Sequence, residues 1–124
     1  MELQVLEETL AIARLAAGAP VPPWVAGRDF LAVVRTPREL SIVCRDDAVP
    51  ASHAEVERGF RAVAVVGTLD FALSGIVASL AAPLAAAGIS IFGISTYDTD
   101  HILVRESHLA AARAALERAG HTFR

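Results

Sequence analysis

Lysine is absent from this chain of 124 residues, and its eleven basic side chains are all arginines, set against 14 acidic ones for a formal net charge of −3. Holding a phosphate backbone takes clustered basic residues; these are scattered, so nucleic acid is not the expected partner. Cysteine occurs once, as Cys44, which excludes an intrachain disulfide framework and a cysteine-based metal site. Lying in the apolar run from Leu40 to Cys44, it reads as a buried structural thiol. Aromatic residues make up only 6%, so the core must be aliphatic. A long unbroken apolar run is also missing. The most apolar window, Phe71 to Phe92, is interrupted by Ser74, Gly75, Ser79, Pro83, Gly88 and Ser90. It reads as a buried helix followed by a strand, not a membrane span. No basic stretch followed by an apolar one opens the chain, so a cytoplasmic location is expected and a secretory signal is not. What is abundant is aliphatic: hydrophobic residues reach 54% and charged ones 20%, the balance of a packed fold and not of a disordered chain.

The first half reads as short strands. Leu3 to Glu8 alternates imperfectly, and the pattern resumes from Leu10 to Leu15. Gly18-Ala19-Pro20-Val21-Pro22-Pro23 stops either kind of element, because proline lacks the N–H and restricts its predecessor. Trp24 to Gly27 allows at most one helical turn. Phe30 to Arg35 and Glu39 to Arg45 form a hairpin around Thr36-Pro37-Arg38, and the polar stretch Pro50 to Gly59 reads as a link. Phe60 to Val66 is then a buried strand. Ser74 to Ala87 predicts a helix with an apolar stripe of Ile76, Val77, Leu80, Leu84 and Ala87, strained at Pro83 and closed by Gly88. Ile89 to Ser95 and His101 to Arg105 are strands. Ser107 is a candidate N-cap for a helix over Leu109 to Ala119, and His121 to Phe123 is a last strand. The second half thus reads β-α-β-β-α-β, the ferredoxin-like order, with the first half a degenerate copy whose helices have shrunk to a turn. A module of about 60 residues is marginal alone, which argues for keeping the halves together and for a homodimer.

Two segments carry chemistry. Ser95-Thr96-Tyr97-Asp98-Thr99-Asp100 joins two apolar strands through hydroxyls and carboxylates, without glycine or proline. Asp98 and Thr99 suit side-chain turns, whereas Asp100 stands at the mouth of the next strand, free to meet solvent or a cation. Gly67-Thr68-Leu69-Asp70 leads through Gly75 into the helix at Ile76. Free N–H groups at a helix start attract a carboxylate, and Gly75 permits close approach or merely close packing. Asp70 reads either as an N-cap or as part of the site. Together these segments offer donors for a carboxylate and Asp100 for an ammonium, the two groups of a free amino acid.

The stretches Thr36-Pro37-Arg38-Glu39-Leu40-Ser41-Ile42-Val43-Cys44, Leu73-Ser74-Gly75-Ile76-Val77-Ala78 and Ile91-Phe92-Gly93-Ile94-Ser95-Thr96-Tyr97-Asp98-Thr99-Asp100 give the chain a family likeness. It resembles small bacterial ACT-domain proteins related to the arginine sensors of the CASTOR type. The resemblance implies an α+β fold of two ACT-like (ferredoxin-like βαββαβ) units, with antiparallel sheets and helices on one face. Residues 1–58 would be a degenerate N-terminal unit and 59–124 a C-terminal ACT domain. It implies a non-catalytic regulatory protein, a sensor that binds a free amino acid and needs no cofactor. Gly75, Thr96, Tyr97 and Asp100 fall where the sensors hold their ligand, Asp100 as partner of its amine, with Asp70 and Ile76 beside them. The sensors carry an acid one turn into the helix where this chain has Ala78, which directs the expectation to a smaller or apolar amino acid.

Catalysis is not expected. Asp100 and His101 are adjacent and point to opposite faces of a strand, and His53, His101, His108 and His121 show no metal-ligand spacing. Ser74-Gly75 lacks the glycine of a nucleophile elbow. The alternative is an assembly module that only dimerises or docks onto a partner, for which Trp24 is a reasonable anchor; Trp24 equally suits covering its own sheet.

Overall fold

The apolar–polar alternation that begins at Leu3 carries on through Thr9, and the result is one strand, not two: β1, Glu2–Leu15. The structure, a computed structural model, describes residues 1–25, 29–70 and 72–124. After β1 come β2 (Ala32–Arg35), β3 (Leu40–Arg45), β4 (Val56–Val65), α1 (Ile76–Ala86), β5 (Phe92–Ser95), β6 (Asp100–Arg105), α2 (Leu109–Arg118) and β7 (Thr122–Phe123). Two compact units are distinguished, residues 1–7 with 61–124, and residues 8–60.

The first of these units follows the βαββαβ order from β4 onward, with strands arranged β7-β1-β4-β6-β5. β7 therefore lies parallel to the start of β1, with Glu2 opposite Thr122 and Leu3 opposite Phe123. Both helices bury their apolar sides in one core. Leu80 and Leu84 of α1 and Ala112, Ala115 and Leu116 of α2 meet Leu3, Val63, Val65, Ile102 and Val104. The period of two in β4 and β6 sends Val63, Val65, Ile102 and Val104 to the helices and Ala62, Ala64 and Leu103 to the other face, where these too are buried. The α1 stripe is narrower than its sequence suggests, for Val77 and Ala87 are exposed. α2 is entered through a 3-10 turn, Glu106–His108, so its N-cap is His108 and not Ser107.

Pro83 sits inside α1 and has no N–H to give the carbonyl four residues back, that of Ser79. The Nε2–H of His121, a residue only 8% exposed, donates to that carbonyl at 3.0 Å. The proline and the histidine are thus one device that ties α1 to the start of β7. His121→Ala is expected to cost about 1–3 kcal/mol, the penalty of an orphaned carbonyl. Pro83→Ala in that background should recover part of it by restoring the helical donor. Chemical denaturation of the two single variants and the double variant measures the coupling.

In the unit of residues 8–60 the strand order is β2-β3-β1-β4. β1 and β3 pair antiparallel from Leu10 opposite Arg45 to Leu15 opposite Leu40. Ala11, Ala13, Leu40, Ile42, Cys44 and Val49 form its core, with Trp24 and Val25 packed against it. Trp24 covers its own chain, its ring edge-on to His53 at 5.9 Å. Its short helical turn is Pro23–Val25; Ala26 and Gly27, the rest of the expected turn, lie outside the described residues. The stretch read as a link is extended from Val56 onward. Arg58 donates to Asp46 Oδ1 at 3.0 Å and to the carbonyls of Val49 and Pro50. Asp46 also accepts the Gly59 N–H at 2.8 Å.

The two hairpins repeat at an interval of sixty positions. β2 and β5, β3 and β6, and the 3-10 turns Asp46–Ala48 and Glu106–His108 all correspond at that offset. Ala32 pairs with Val43 as Phe92 does with Leu103. Each turn is closed alike: Thr36 N–H donates to Glu39 O at 2.9 Å, and Thr96 N–H to Thr99 O at 2.8 Å.

Candidate functional site

The turn between β5 and β6 is tighter than its length in sequence suggests. Ser95 already faces Asp100 across the ladder, so only Tyr97 and Asp98 form the tip. The Thr96 hydroxyl donates to Thr99 O at 3.0 Å and accepts the Thr99 N–H at 3.3 Å, the local side-chain bonding that lets a turn dispense with glycine. Thr99 also reaches out of the turn, donating from Oγ1 to Val65 O at 2.9 Å. The Asp98 carbonyl accepts the Leu69 N–H at 2.7 Å. These bonds fasten the hairpin to the β4–α1 loop.

That loop reaches the helix through Gly75, the N-cap of α1, with φ 79°. A left-handed backbone suits glycine, since a Cβ there is penalised, and this is the physical reason for glycine at the junction. The Gly75 carbonyl accepts the Ser79 N–H at 2.9 Å as the first helical bond. Among the described residues no side chain caps the helix start, and its first turn holds no acid. Asp70 is therefore not the N-cap; its Oδ1 accepts the Ala72 N–H at 2.9 Å within the loop. Phe71 lies outside the described residues.

Hairpin and helix start enclose a cleft of about 330 Å³. All six residues singled out from sequence, Asp70, Gly75, Ile76, Thr96, Tyr97 and Asp100, border it together with Leu69, Leu73, Val77, Ala78, Ser95, Asp98 and Thr99. One side is aliphatic and the other is lined with hydroxyls and carboxylates. Asp70, Asp98 and Asp100 contribute three acids, and among the described residues the lining contains no base. Among the described residues the acids belong to no group able to hold a metal ion. The rim is apolar and open: Tyr97 is 85% exposed, Leu73 55% and Val77 43%. Ser95 belongs to the segment singled out from sequence, but its partner was not foreseen. Its Oγ donates to Asp100 Oδ1 at 2.6 Å, and reading the turn as a tight one would have paired the two.

His101, next to Asp100, does not border the cleft. Burial pushes its imidazole below the ordinary value of 6.5, against the raising effects of the Ile94 backbone and of Asp100. The folded chain favours the neutral ring, so the unfolded chain takes up the proton first. Stability from this source is complete above about pH 6.5 and is lost as the pH falls toward the lowered folded value. Unfolding free energy measured against pH should decline over that window, and His101→Gln should flatten the decline.

A family model described as ACT domain matches residues 55–118, just over half of the chain. The chain belongs to the ACT domain family. A second model, described as an N-terminal domain, matches residues 8–52. Protein Atu0741 from Agobacterium tumefaciens, a crystal structure, is 39% identical with a TM-score of 0.92, covering 99% of this chain and 91% of that one. The regulatory subunit of aspartate kinase from Thermus flavus reaches a TM-score of 0.64 at 15% identity over 94% of this chain and 95% of its own, a likeness of fold. The human protein named cytosolic arginine sensor for mTORC1 subunit 1 is 48% identical over 50 residues, 40% of this ACT chain. The matched stretch is 15% of that sensor's length. The ACT fold here is α+β, a mainly antiparallel sheet with two helices, of the kind found in regulatory domains. No helix among the described residues is long and apolar enough to cross a membrane.

Proposed function

We propose that this protein is a non-catalytic cytoplasmic regulator that binds one free amino acid in the cleft between the β5–β6 hairpin and the start of α1. The observation that carries the reading is the meeting of an uncapped helix start with the Asp100 carboxylate on one cleft. The helix N–H groups suit a ligand carboxylate, and Asp100 suits its ammonium. Gly75, Ile76, Thr96 and Tyr97 line the space between, with Asp70 at its edge. Ala78 also borders the cleft, and an alanine there supplies no acid from the helix for a basic side chain, which leaves only the loop acids Asp70 and Asp98 beside Asp100 and favours a small or apolar amino acid. The matched hairpins support reading residues 1–58 as a degenerate ACT-like unit and 59–124 as the ACT domain proper. Leu40 stands where the binding unit has Asp100, so this first unit lacks the carboxylate. The relative named as an arginine sensor supports a sensing role, and the buried free Cys44 suits a reducing compartment.

The exposed Leu73, Val77 and Tyr97 at the cleft mouth favour a homodimer that shields the ligand, and they are also what a pure assembly module would present. A thermal-shift screen with the twenty free amino acids separates the readings. An amino acid at about 100 times its Kd adds about 2.7 kcal/mol, several degrees in Tm. A concentration-dependent shift with a few of them is expected. No shift with any of them, in a protein that self-associates, would leave the assembly reading in its place.

A further inference from the structure

Ser95 and Asp100 are directly opposed in the β5–β6 ladder, and both border the cleft. The Ser95 hydroxyl donates to Asp100 Oδ1 at 2.6 Å, within the short range of a charge-assisted O–H···O⁻ bond. Among the described residues it is the one side chain shown bonding the Asp100 carboxylate. A bond to Oδ1 restricts rotation of the carboxylate and leaves Oδ2 to accept from another donor. The chain contains its own comparison sixty positions earlier, where Arg35 opposes Leu40 at the same register. There Leu40 is fully buried, and Arg35 donates to the carbonyls of Ala17 and Ala19. The same two hairpin positions then hold a cation tied to backbone and no acid. Serine with aspartate is what distinguishes the hairpin of the cleft.

Resting on the amino-acid reading of the cleft, we propose that Ser95 is a positioning residue. It orients the Asp100 carboxylate so that Oδ2 meets the ammonium of the ligand. An Asp100 without this bond would turn freely and stay hydrated, and would have to be ordered at each binding event.

The test titrates wild type, Ser95→Ala and Ser95→Thr with each of the twenty free amino acids. Whichever of them stabilises the wild type is then paired with the carboxylic acid that lacks its α-amine. Ser95→Ala should weaken the amino acid about three- to tenfold and leave the amine-free acid unaffected. Ser95→Thr, which keeps the hydroxyl, should bind like wild type, and the unliganded Tm of both variants should stay close to that of wild type. Equal affinity of Ser95→Ala and wild type for the amino acid would overturn the assignment. So would an equal loss for both probes, which would make Ser95 a shaper of the cleft and not a guide for the carboxylate. A wild type that responds to none of the twenty would overturn the amino-acid reading itself, and the role of Ser95 with it.

Discussion

Asp100→Ala is expected to remove most of the stabilisation by a free amino acid while leaving the fold intact. A hydrogen bond to a charged group contributes about 1.5–3 kcal/mol, so affinity should fall by roughly one to two orders of magnitude. The fold should tolerate the change because Asp100 is only half-buried and its one hydroxyl partner, Ser95, is exposed and free to hydrate. The backbone pairing of the two residues does not depend on the carboxylate. Calorimetric titration gives the affinity, and thermal unfolding without added amino acid gives the stability. Affinity equal to that of wild type would remove Asp100 from the site.

Leu80→Ala should behave in the opposite way. Leu80 is fully buried among Leu84, Val63, Val65, Ile102, Val104 and Leu116. Truncating such a leucine costs about 2–5 kcal/mol, a large part of the roughly 5–15 kcal/mol that holds a domain folded. α1 carries Ile76, Val77 and Ala78 to the cleft, with Gly75 as its N-cap, and Leu80 is the first fully buried side chain of the helix, one turn after the partly buried Ile76. Both the denaturation midpoint and the response to amino acid should therefore drop together. An unfolding free energy within a few tenths of a kcal/mol of wild type would contradict the packing described for α1. Asp100 and Leu80 thus separate a loss of binding from a loss of the scaffold that presents it.

Local chemistry made part of this structure legible in the sequence. The β-α-β-β-α-β order of the second half follows from its periodicity and its terminal glycines. The cleft residues were visible because Asp70, Thr96, Tyr97 and Asp100 are polar where apolar strands and a helix meet. What was not legible is what depends on distant partners. Nothing near Thr122 indicates that β7 lies beside Glu2 and Leu3. Ser79 and His121 find each other only through the missing N–H of Pro83. Val56 to Gly59 read as a link because Glu57, Arg58 and Gly59 are polar or small, and their extended form accompanies the bonds from Arg58 and Gly59 to Asp46. The hairpin repeat is carried by backbone register, with few identities beyond Thr36 and Thr96, Ile42 and Ile102, and Arg45 and Arg105. The bond from Ser95 to Asp100 was hidden by the same cause, since it follows from the ladder register that opposes the two.

The central claim is that a free amino acid occupies the cleft between α1 and the β5–β6 hairpin. Amide chemical-shift mapping tests it most directly, with an amino acid that gives a thermal shift titrated into ¹⁵N-labelled protein. The account predicts saturable changes concentrated at Gly75 to Ala78 and Ser95 to Asp100, with the hairpin at Thr36 to Leu40 unmoved. Changes centred on Thr36 to Leu40, or none at Gly75 and Asp100 under saturating amino acid, would contradict it.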